Sequence, residues 1–404
     1  MVIGIFPTMD PRMGGVYQYC VSLLESLSKI NKKNCSFVLF SDVETHPIFK
    51  QLENRGWKII ILKKTDLLGF SKRFLSIPFT RPWINLIVEM PLELISWIFA
   101  RFVKNLGVDI AIFPTTNSLS YRLNIPYVVT IHDFQHKYLP DFFSSDEIAE
   151  RDEVFCQAGN KAKAIVCESG YVKDDLVRFI DAQIKKIFVL SSPPSSSFNS
   201  FVFNSKKNRE VAEKYKLPGK YLFYPAQFWP HKNHSRLLLA LKIIARKYRL
   251  KLPLVLVGSD KGYLSQVNDE AAKLHLKGQV FYLGHVPDED MPYLYKNSFV
   301  LVVPSLFESL SIPIWEAFFL GVPVVSSNVC ALPEQVGKAG LLFDPSNVEN
   351  MAGVIVKVWR DTRLRKRLIG EGKKRLKLVS SSFYSKGWVN LLNTVEKERS
   401  NKFL

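Results

Sequence analysis

Short apolar runs alternate with longer segments of helical periodicity along the whole chain. Such runs are typical of strands that are buried on both faces, and their alternation with helices is typical of parallel sheets. The first half is expected to hold strands at 2–6, 36–40, 57–62, 110–113, 127–131 and 164–167. The second half repeats the scheme at 221–224, 253–257, 280–283, 300–303, 324–326 and 340–343. The pattern predicts an α/β protein with two doubly wound, Rossmann-like domains in tandem.

The length of 404 residues also suits two domains rather than one. A stretch at 190–199 is rich in serine and proline and has no periodicity, so it is expected to be a linker. We therefore assign 1–190 to the first domain, 191–219 to the linker, 220–379 to the second domain and 380–404 to a final helix and tail. That last helix carries the aromatic residues Phe383, Tyr384 and Trp388 at helical spacing.

The net charge is +18, and it is unevenly distributed. Residues 1–190 hold 23 basic and 20 acidic residues, so most of the excess lies in the second half. No recognition helix, RNP-like aromatic pair or zinc finger accompanies this charge, which argues against nucleic acid. An anionic membrane surface is the favoured partner, especially beside the aromatic-rich segment 73–102, and a merely solvated basic face is the alternative.

The cysteine pattern and the N-terminal sequence indicate the cellular compartment. Five scattered cysteines form no C-x-x-C pair, which favours a reducing compartment. The chain opens directly into its first predicted strand, without a signal peptide pattern. The apolar segment 83–102 is interrupted by Glu89, Pro91 and Glu93 and so fails as a membrane span. We predict a cytoplasmic protein, with peripheral attachment to the cytosolic face of the membrane as an option.

Two glutamates eight positions apart, Glu308 and Glu316, are the most informative chemical feature. They lie where the predicted strand at 300–303 passes through a small-residue turn into an apolar helix. A helix N-terminus offers unpaired backbone N–H groups to phosphate, whereas a carboxylate accepts hydrogen bonds from hydroxyl groups. Together they predict a site for a nucleotide sugar. The alternative is two unrelated carboxylates near a helix start, where acidic residues are favoured anyway.

Three other strand ends carry polar or small residues. Gly14 and Gly15 follow the first strand, where paired glycines allow a ligand to approach the backbone, although a structural tight turn is as good an interpretation. His132 ends the strand at 127–131 beside Asp133. Lys232 precedes a helix whose positive end disfavours a cation, and a bound polyanion would remove that mismatch.

The glutamate block resembles the Glu-x7-Glu motif of the retaining GT-B glycosyltransferases, specifically glycosyltransferase family 4 and its mannosyltransferase-like branch. The resemblance implies two domains that face a central cleft, with a C-terminal helix that crosses back to the first domain. It also implies an enzyme that moves a hexose from a nucleoside diphosphate sugar to a glycan or polyprenyl-linked oligosaccharide with an α-linkage. GDP-mannose is the first expectation for the donor and a UDP-sugar the second.

By this resemblance, the catalytic residues are Glu308 at the transferred sugar, His132 at a sugar hydroxyl or the leaving phosphate, and Lys232 at the diphosphate. Glu316 would bind the ribose hydroxyls. The remaining donor-binding positions are Gly14, Gly15, Gln227, Val286, Ser309, Leu310 and Ser311, with Val286 pairing with the base through its backbone. Gln227 departs from the family pattern, which usually has arginine there, and it supplies no charge.

No metal and no cofactor are expected. Asp288 and Asp290 formally match an Asp-x-Asp metal motif, but we expect this segment to cap the following helix instead. The absence of Gly-x-Gly-x-x-Gly after the first strand counts against an NAD enzyme. Two other functions remain open. One is a nucleotide-sugar 2-epimerase on the same fold. The other is a catalytically silent nucleotide-sugar binding protein, which is compatible with Gln227 in place of the usual arginine.

Overall fold

The computed structural model describes residues 1–30, 35–62, 92–194, 198 and 201–400 of the chain. Most of the segment 73–102 and four of the ten linker residues at 190–199 lie outside the described residues. The chain divides into two compact units. The first comprises Met1–Glu168, Val172–Leu190 and Tyr384–Leu404, and the second comprises Ser169–Tyr171 and Ser191–Phe383.

The first unit is built on a seven-stranded sheet in which every described pair is parallel. Its strands are β1 (Val2–Ile5), β2 (Ser36–Ser41), β3 (Lys58–Ile61), β4 (Ile110–Phe113), β5 (Tyr127–Thr130), β6 (Ala164–Cys167) and β7 (Ile187–Val189). They are arranged in the order β3-β2-β1-β4-β5-β6-β7. The order reverses between β1 and β4, and the carboxyl edge at such a reversal is where open α/β sheets bind ligands.

Seven described helices surround this sheet. They are α1 (Gly15–Ser28), α2 (Pro47–Glu53), α3 (Leu92–Asn105), α4 (Leu119–Arg122), α5 (Gln135–Tyr138), α6 (Ser145–Lys161) and α7 (Gly170–Ile180). Local sequence explains where α6 begins. The Ser144 side chain accepts from the Glu147 amide and the Glu147 carboxylate accepts from the Ser144 amide, which satisfies two N–H groups that the first turn leaves unpaired.

The second unit holds a six-stranded parallel sheet. Its strands are β8 (Leu222–Pro225), β9 (Leu254–Val257), β10 (Val280–Tyr282), β11 (Val300–Val303), β12 (Val324–Ser327) and β13 (Gly340–Phe343). The order is β10-β9-β8-β11-β12-β13, so the reversal lies between β8 and β11. The register pairs Leu222 with Val300, and the loops that follow β8 and β11 therefore leave the same edge side by side.

The helices of this unit begin at the linker and end with a helix that returns to the first unit. They are α8 (Ser205–Lys214), α9 (His234–Tyr248), α10 (Leu264–Lys273), α11 (Met291–Asn297), α12 (Ile312–Leu320), α13 (Leu332–Val336), α14 (Val348–Arg360), α15 (Thr362–Arg375) and α16 (Ser381–Ser400). Most of α16 belongs to the first unit.

Helix α16 completes the hydrophobic core of the first unit. Tyr384, Trp388 and Leu391 are each at most 1% exposed and cluster with residues of β1 and α1. The aromatic pattern predicted a C-terminal helix, and the resemblance predicted that it crosses back to the first domain; both predictions are confirmed. Because large aromatic side chains contribute strongly to core stability, this helix is part of the first unit's fold.

The pattern of apolar runs identified twelve of the thirteen strands. It missed β7, a three-residue edge strand whose apolar residues are only half-buried or exposed and directly precede the predicted linker. The helical periodicity of residues 16–30 corresponds to α1, which ends two residues earlier. Among the helices that the structure describes, none combines the length and the hydrophobicity that crossing a membrane requires.

Candidate active site

The site of the second unit lies where the loops after β8 and β11 emerge next to each other. The β8 loop ends in a short 3-10 turn, Pro230–Lys232, just before α9. The β11 loop carries Glu308 and leads into α12. This is the switch point of the sheet, where two adjacent loops diverge to opposite faces and leave a crevice at the carboxyl edge. Topology therefore brings together two residues that are far apart in sequence.

Lys232 and Glu308 form an ion pair at this crevice. The Lys232 Nζ lies 2.6 Å from Glu308 Oε1, and the two side chains are 20% and 11% exposed. The Ser305 hydroxyl donates to the same carboxylate oxygen at 2.8 Å. The Lys232 ammonium and the Ser305 hydroxyl therefore hold the Glu308 carboxylate in one orientation.

Tyr224, at the end of β8, is a site residue that sequence reasoning missed. Its hydroxyl lies 3.0 Å from the Lys232 carbonyl oxygen and 3.0 Å from the Ser305 Oγ. The ring is 1% exposed, and burial raises the pKa of the hydroxyl well above its ordinary value. Tyr224 thus joins the two loops beneath the ion pair. Nothing in an apolar strand distinguishes a tyrosine with this role from a core aromatic residue.

Asn233 holds the β8 loop in place. It adopts a left-handed conformation with φ of 60°, which asparagine tolerates better than most residues. Its side-chain amide donates to the carbonyl oxygens of Pro304 and Pro345, at 2.8 and 3.2 Å. The preceding turn is thereby tied to the start of the β11 loop, which keeps Lys232 close to Glu308.

Lys232 is the residue of this loop whose positive charge contacts Glu308. Burial and the nearby Lys232 charge lower the pKa of His231 to about 3, so His231 is neutral and adds no positive charge. The Arg236 guanidinium donates to the Asn233 side-chain oxygen at 3.2 Å. Charge stabilisation at this edge therefore depends on Lys232.

Glu316 has a different environment one turn into α12. It is 4% exposed, and the Tyr295 hydroxyl donates to its Oε2 at 2.5 Å. Burial raises the pKa of Glu316 to about 7, against the lowering effect of the Tyr295 hydrogen bond and with a further increase from the Asp288 charge. Unlike Glu308, Glu316 has no ion-pair partner among the described residues.

The loop before α12 presents fewer amides than expected. The Ser311 N–H donates to Gln335 Oε1 at 2.9 Å, so this amide is already satisfied by the protein. The Ser309 and Leu310 amides make no hydrogen bond to any residue that the structure describes. The set of amides expected to receive a diphosphate is therefore reduced to Ser309 and Leu310.

Gln227 and Val286 lie on neighbouring loops of the same sheet edge. The Trp229 indole N–H donates to Gln227 Oε1 at 3.1 Å. Gly258 of the next loop allows close packing here, because a Cβ at that position would lie 2.2 Å from the Ala226 carbonyl oxygen. The Val286 side chain is 3% exposed and packs in the core, so any base contact at Val286 would have to use its backbone.

Gly14, Gly15 and His132 belong to the first unit. Gly14 ends the 3-10 turn Pro11–Met13 and has φ of 59°, a conformation that favours glycine. Gly15 begins α1, and a Cβ there would meet no atom within 4 Å. Turn geometry explains Gly14, whereas the fold of this unit places no steric demand on Gly15.

Both ring nitrogens of His132 are hydrogen-bonded within the first unit. Nδ1 lies 3.1 Å from Glu168 Oε2, and Nε2 lies 2.9 Å from the Pro114 carbonyl oxygen. Because both partners are acceptors, this histidine satisfies them by carrying both protons. Burial opposes the charged form, but the hydrogen bond and charge of Glu168 prevail and raise the pKa of His132. In this arrangement neither nitrogen is available to accept a proton.

The prediction that the segment 288–290 caps a helix is wrong. Asp290 stands at the N-cap of α11, but its side chain makes no capping bond. Its carboxylate instead accepts from Lys214 at 2.7 Å and from Tyr215 at 2.9 Å, because these residues at the end of α8 approach it in the tertiary structure.

Within the described residues, no group of three or more His, Cys, Asp or Glu could hold a metal ion.

Comparison with known proteins relates the second unit to a known family. Residues 205–375, which include Lys232, Glu308 and Glu316, match the family described as Glycosyl transferases group 1. Residues 205–375 therefore form a domain of this family. O-antigen chain mannosyltransferase B of Escherichia coli is 31% identical over 257 residues, which cover 63% of this chain and 66% of that protein. O-antigen chain mannosyltransferase RfbU of Salmonella typhimurium is 24% identical over 259 residues, 64% of this chain and 67% of that protein.

The relatives are not matched over their full length. The chain aligns with 33% of the serotype-specific mannosyltransferase WbdA of Escherichia coli, and with 66% of mannosyltransferase B. Membership of the group 1 family is therefore established for the domain that carries the glutamates.

Solved structures extend the similarity of fold to nearly the whole chain. Anabaena Alr3699/HepE in complex with UDP and glucose superimposes with a TM-score of 0.73 at 16% identity, covering 98% of this chain and all of that one. A glycosyltransferase from Rickettsia africae gives a TM-score of 0.72 at 17% identity, with 98% of each chain covered. At such identities the likeness concerns the fold alone. The protein has the GT-B fold, as the resemblance predicted.

Proposed function

We propose that this protein is a retaining glycosyltransferase that moves a hexose from a nucleoside diphosphate sugar to a glycan or polyprenyl-linked oligosaccharide with an α-linkage. The observation that carries the proposal is the ion pair between Lys232 and Glu308 at the switch point of the sheet. Glu316 lies in α12, the helix that follows the Glu308 loop. The two O-antigen mannosyltransferases among the relatives support mannose as the sugar. GDP-mannose is therefore the first candidate donor, and a UDP-sugar is the second.

Different residues of the second unit bind different parts of the donor. Glu316 accepts from the ribose hydroxyls, and Glu308 accepts from hydroxyls of the transferred sugar. Lys232 and the Ser309 and Leu310 amides stabilise the diphosphate, with Gln227 contributing a neutral hydrogen bond. Val286 pairs with the base through its backbone. These roles match the chemistry of each group, because carboxylates suit hydroxyls while amides and ammonium groups suit phosphate.

The reaction breaks the bond between the anomeric carbon and the diphosphate oxygen and forms a bond from that carbon to an acceptor hydroxyl oxygen. The departing diphosphate takes the bonding electron pair, and one of its oxygens accepts the proton that the acceptor hydroxyl loses. Lys232 and the loop amides stabilise the negative charge that develops on the leaving group. Glu308 Oε1 is already engaged by Lys232 and Ser305, which makes this carboxylate a poor nucleophile. We therefore favour front-face attack within an ion pair and need neither metal nor covalent intermediate.

His132 keeps its proposed place in catalysis, with a specified protonation state. As an imidazolium held by Glu168, it acts through its positive charge and its C–H edges rather than as a base. His132→Ala is expected to lower turnover about tenfold or more, within the range that positioned charges contribute. An unchanged rate would remove His132 from the catalytic residues.

Two further observations support a glycan acceptor and a membrane contact. The O-antigen relatives support a growing glycan as acceptor. The net charge of +18 supports contact with anionic lipid. Co-sedimentation with liposomes that contain anionic lipid, lost at high salt and absent with zwitterionic lipid, is the expected result; equal binding to both would exclude an electrostatic membrane contact.

The first experiment is to incubate the purified protein with a panel of nucleotide sugars without acceptor, and to measure the nucleoside diphosphate released and the identity of the sugar. Slow hydrolysis of one donor that releases unchanged sugar supports the transferase and names the donor. Release of an epimerised sugar would instead support an epimerase. Binding of a nucleotide sugar without turnover, also in the presence of glycan acceptors, would support a silent binding protein.

A further inference from the structure

The short helix α13 and the residue before it hold the loop between the two glutamates at both ends. The Ala331 amide donates to the Glu308 carbonyl oxygen at 3.2 Å, at the beginning of the loop. At the end of the loop, the Gln335 side chain makes two hydrogen bonds to the backbone of Ser311. Its Oε1 accepts from the Ser311 N–H at 2.9 Å, and its Nε2 donates to the Ser311 carbonyl oxygen at 2.7 Å.

Gln335 is suited to this task by chemistry and by burial. A primary amide offers one acceptor and one donor side by side, which complements the N–H and C=O of a single backbone residue. Gln335 and Ser311 are each 3% exposed, so water does not compete for these bonds. Leaving a buried backbone group unpaired is costly, so the Ser311 peptide has one well-defined orientation while Gln335 is present.

Helix α13 is itself firmly anchored in the second unit. Leu332 and Val336 are fully buried on either side of Gln335. The Arg375 guanidinium of α15 donates to the Glu334 carbonyl oxygen. Cys330, just before the helix, has φ of 49°, a left-handed conformation that is unfavourable for a non-glycine residue and persists only where its surroundings impose it. The segment 330–335 is thus a rigid support.

Between the two anchored ends lie Ser309 and Leu310, whose amides have no hydrogen-bond partner among the described residues. Both residues are only half-buried, so these amides can reach a ligand. They precede α12, whose positive end favours anions. A loop with fixed ends and two unpaired amides has the geometry of a preorganised anion site.

We infer that Gln335 is a positioning residue that holds the loop 308–311 so that the Ser309 and Leu310 amides meet the diphosphate of the donor. This inference rests on the proposed function and adds to it a residue that touches no substrate. The contribution is specific to phosphate, because the ribose is bound separately by Glu316. The affinity gained from the second phosphate is therefore the quantity that reports on Gln335.

The test is isothermal titration calorimetry with GDP, GMP, UDP and UMP on the full chain, first in the wild type and then in Gln335→Met. Methionine has a similar length and no hydrogen-bonding amide. Loss of two hydrogen bonds that orient the loop is expected to weaken binding of the preferred diphosphate about tenfold, and binding of its monophosphate less than about twofold. Gln266→Met, at an exposed glutamine of α10, is the matched control and is expected to change neither.

Gln335→Glu is the second variant and tests the hydrogen bonds separately from the packing. A buried, protonated glutamic acid has one donor and one acceptor and restores both bonds to Ser311, whereas its anion repels the carbonyl oxygen. The diphosphate preference is expected to be near that of the wild type at low pH and to fall as the pH rises. Since both nucleotides carry ribose, their affinity ratio is insensitive to titration of Glu316.

Each outcome decides something definite. An unchanged ratio in Gln335→Met, or equal weakening of both nucleotides together with a lower melting temperature, would overturn the positioning role and leave Gln335 as a structural residue. Failure of the wild type to bind any of the four nucleotides would instead overturn the proposed function, and the role of Gln335 with it.

Discussion

Glu308 and Glu316 stand eight residues apart, yet the tertiary structure places them in opposite electrostatic environments. Glu308 is held by a cation, Lys232, and by the Ser305 hydroxyl. Glu316 is buried beside the Tyr295 hydroxyl, and burial raises its pKa to about 7. The first is therefore oriented by a charged partner, whereas the second changes charge near neutral pH.

This difference assigns separate tasks to two chemically identical side chains. A carboxylate that is ionised and oriented before the ligand arrives can contribute to the transition state, because no reorganisation is needed during the reaction. A buried carboxyl group that is half-protonated near neutrality must be ionised, or must share its proton, to accept hydrogen bonds from two hydroxyls. We expect Glu308 to control turnover and Glu316 to control donor affinity. Four experiments test this comparison, in order of decreasing effect.

Removing the cation should have the largest effect. Lys232→Met leaves Glu308 without its partner and the leaving diphosphate without a positive charge, so kcat is expected to fall about 10²–10³-fold. Steady-state kinetics with the best donor measures this. Lys242→Met is the control, because that lysine, on α9 of the same unit, bonds to the Leu274 carbonyl oxygen and not to a glutamate. A loss below about threefold in Lys232→Met would refute its role at the leaving group.

Neutralising each glutamate separately tests the division of tasks directly. Glu308→Gln is expected to lower kcat about 10²-fold with little change in KM for the donor, since it removes a charge that acts mainly in the transition state. Glu316→Gln is expected to raise KM about tenfold with a smaller change in kcat. If both variants show the same changes in kcat and KM, the two environments do not separate binding from catalysis.

The pH dependence of donor binding should reveal Glu316 alone. Its pKa is about 7 in the folded protein against an ordinary 4.5, so folding favours its neutral form. The stability that this group contributes is complete below about 4.5 and is lost as the pH rises through 7. Donor affinity is expected to change in the opposite direction, rising severalfold from pH 6 to pH 8. Calorimetry at several pH values measures the inflection.

Tyr295→Phe sharpens this pH test. The Tyr295 hydrogen bond lowers the pKa of Glu316, so removing the hydroxyl should move the inflection to higher pH. Tyr293→Phe on the same helix is the control and should leave the profile unchanged. A profile without an inflection in the wild type, or one that survives in Glu316→Gln, would show that another group titrates.

The smallest expected effect belongs to Ser305. Its hydroxyl donates one of the two protein hydrogen bonds to Glu308 Oε1, and Lys232 remains in Ser305→Ala. A single hydrogen bond to a charged group contributes modestly when its partner keeps a second one, so kcat is expected to fall about threefold to tenfold. Ser265→Ala, at an exposed position of α10, is the control. A loss as large as that of Lys232→Met would move Ser305 from support to a direct part in the reaction.

Sequence reasoning named candidate site residues where local rules apply. Glu308, Glu316 and Lys232 could be named because each stands beside a strand end or a helix start, and such positions are recognisable from apolar runs and turns. Tyr224 and Gln335 could not be named. The first looks like any strand aromatic and the second like any helical glutamine, and each acquires its role only through a partner about 80 or 24 residues away.

The sequence by itself determined the α/β class, twelve of the strands and the identity of the charged and small residues at the strand ends. These follow from periodicity and from side-chain chemistry, which are local. Only the tertiary structure decided that Lys232 pairs with Glu308, that Gln335 satisfies the Ser311 amide and that Asp290 bonds to Lys214 rather than capping a helix. Those outcomes depend on which strands become neighbours and on how deeply each group is buried, and both arise from packing of the whole chain.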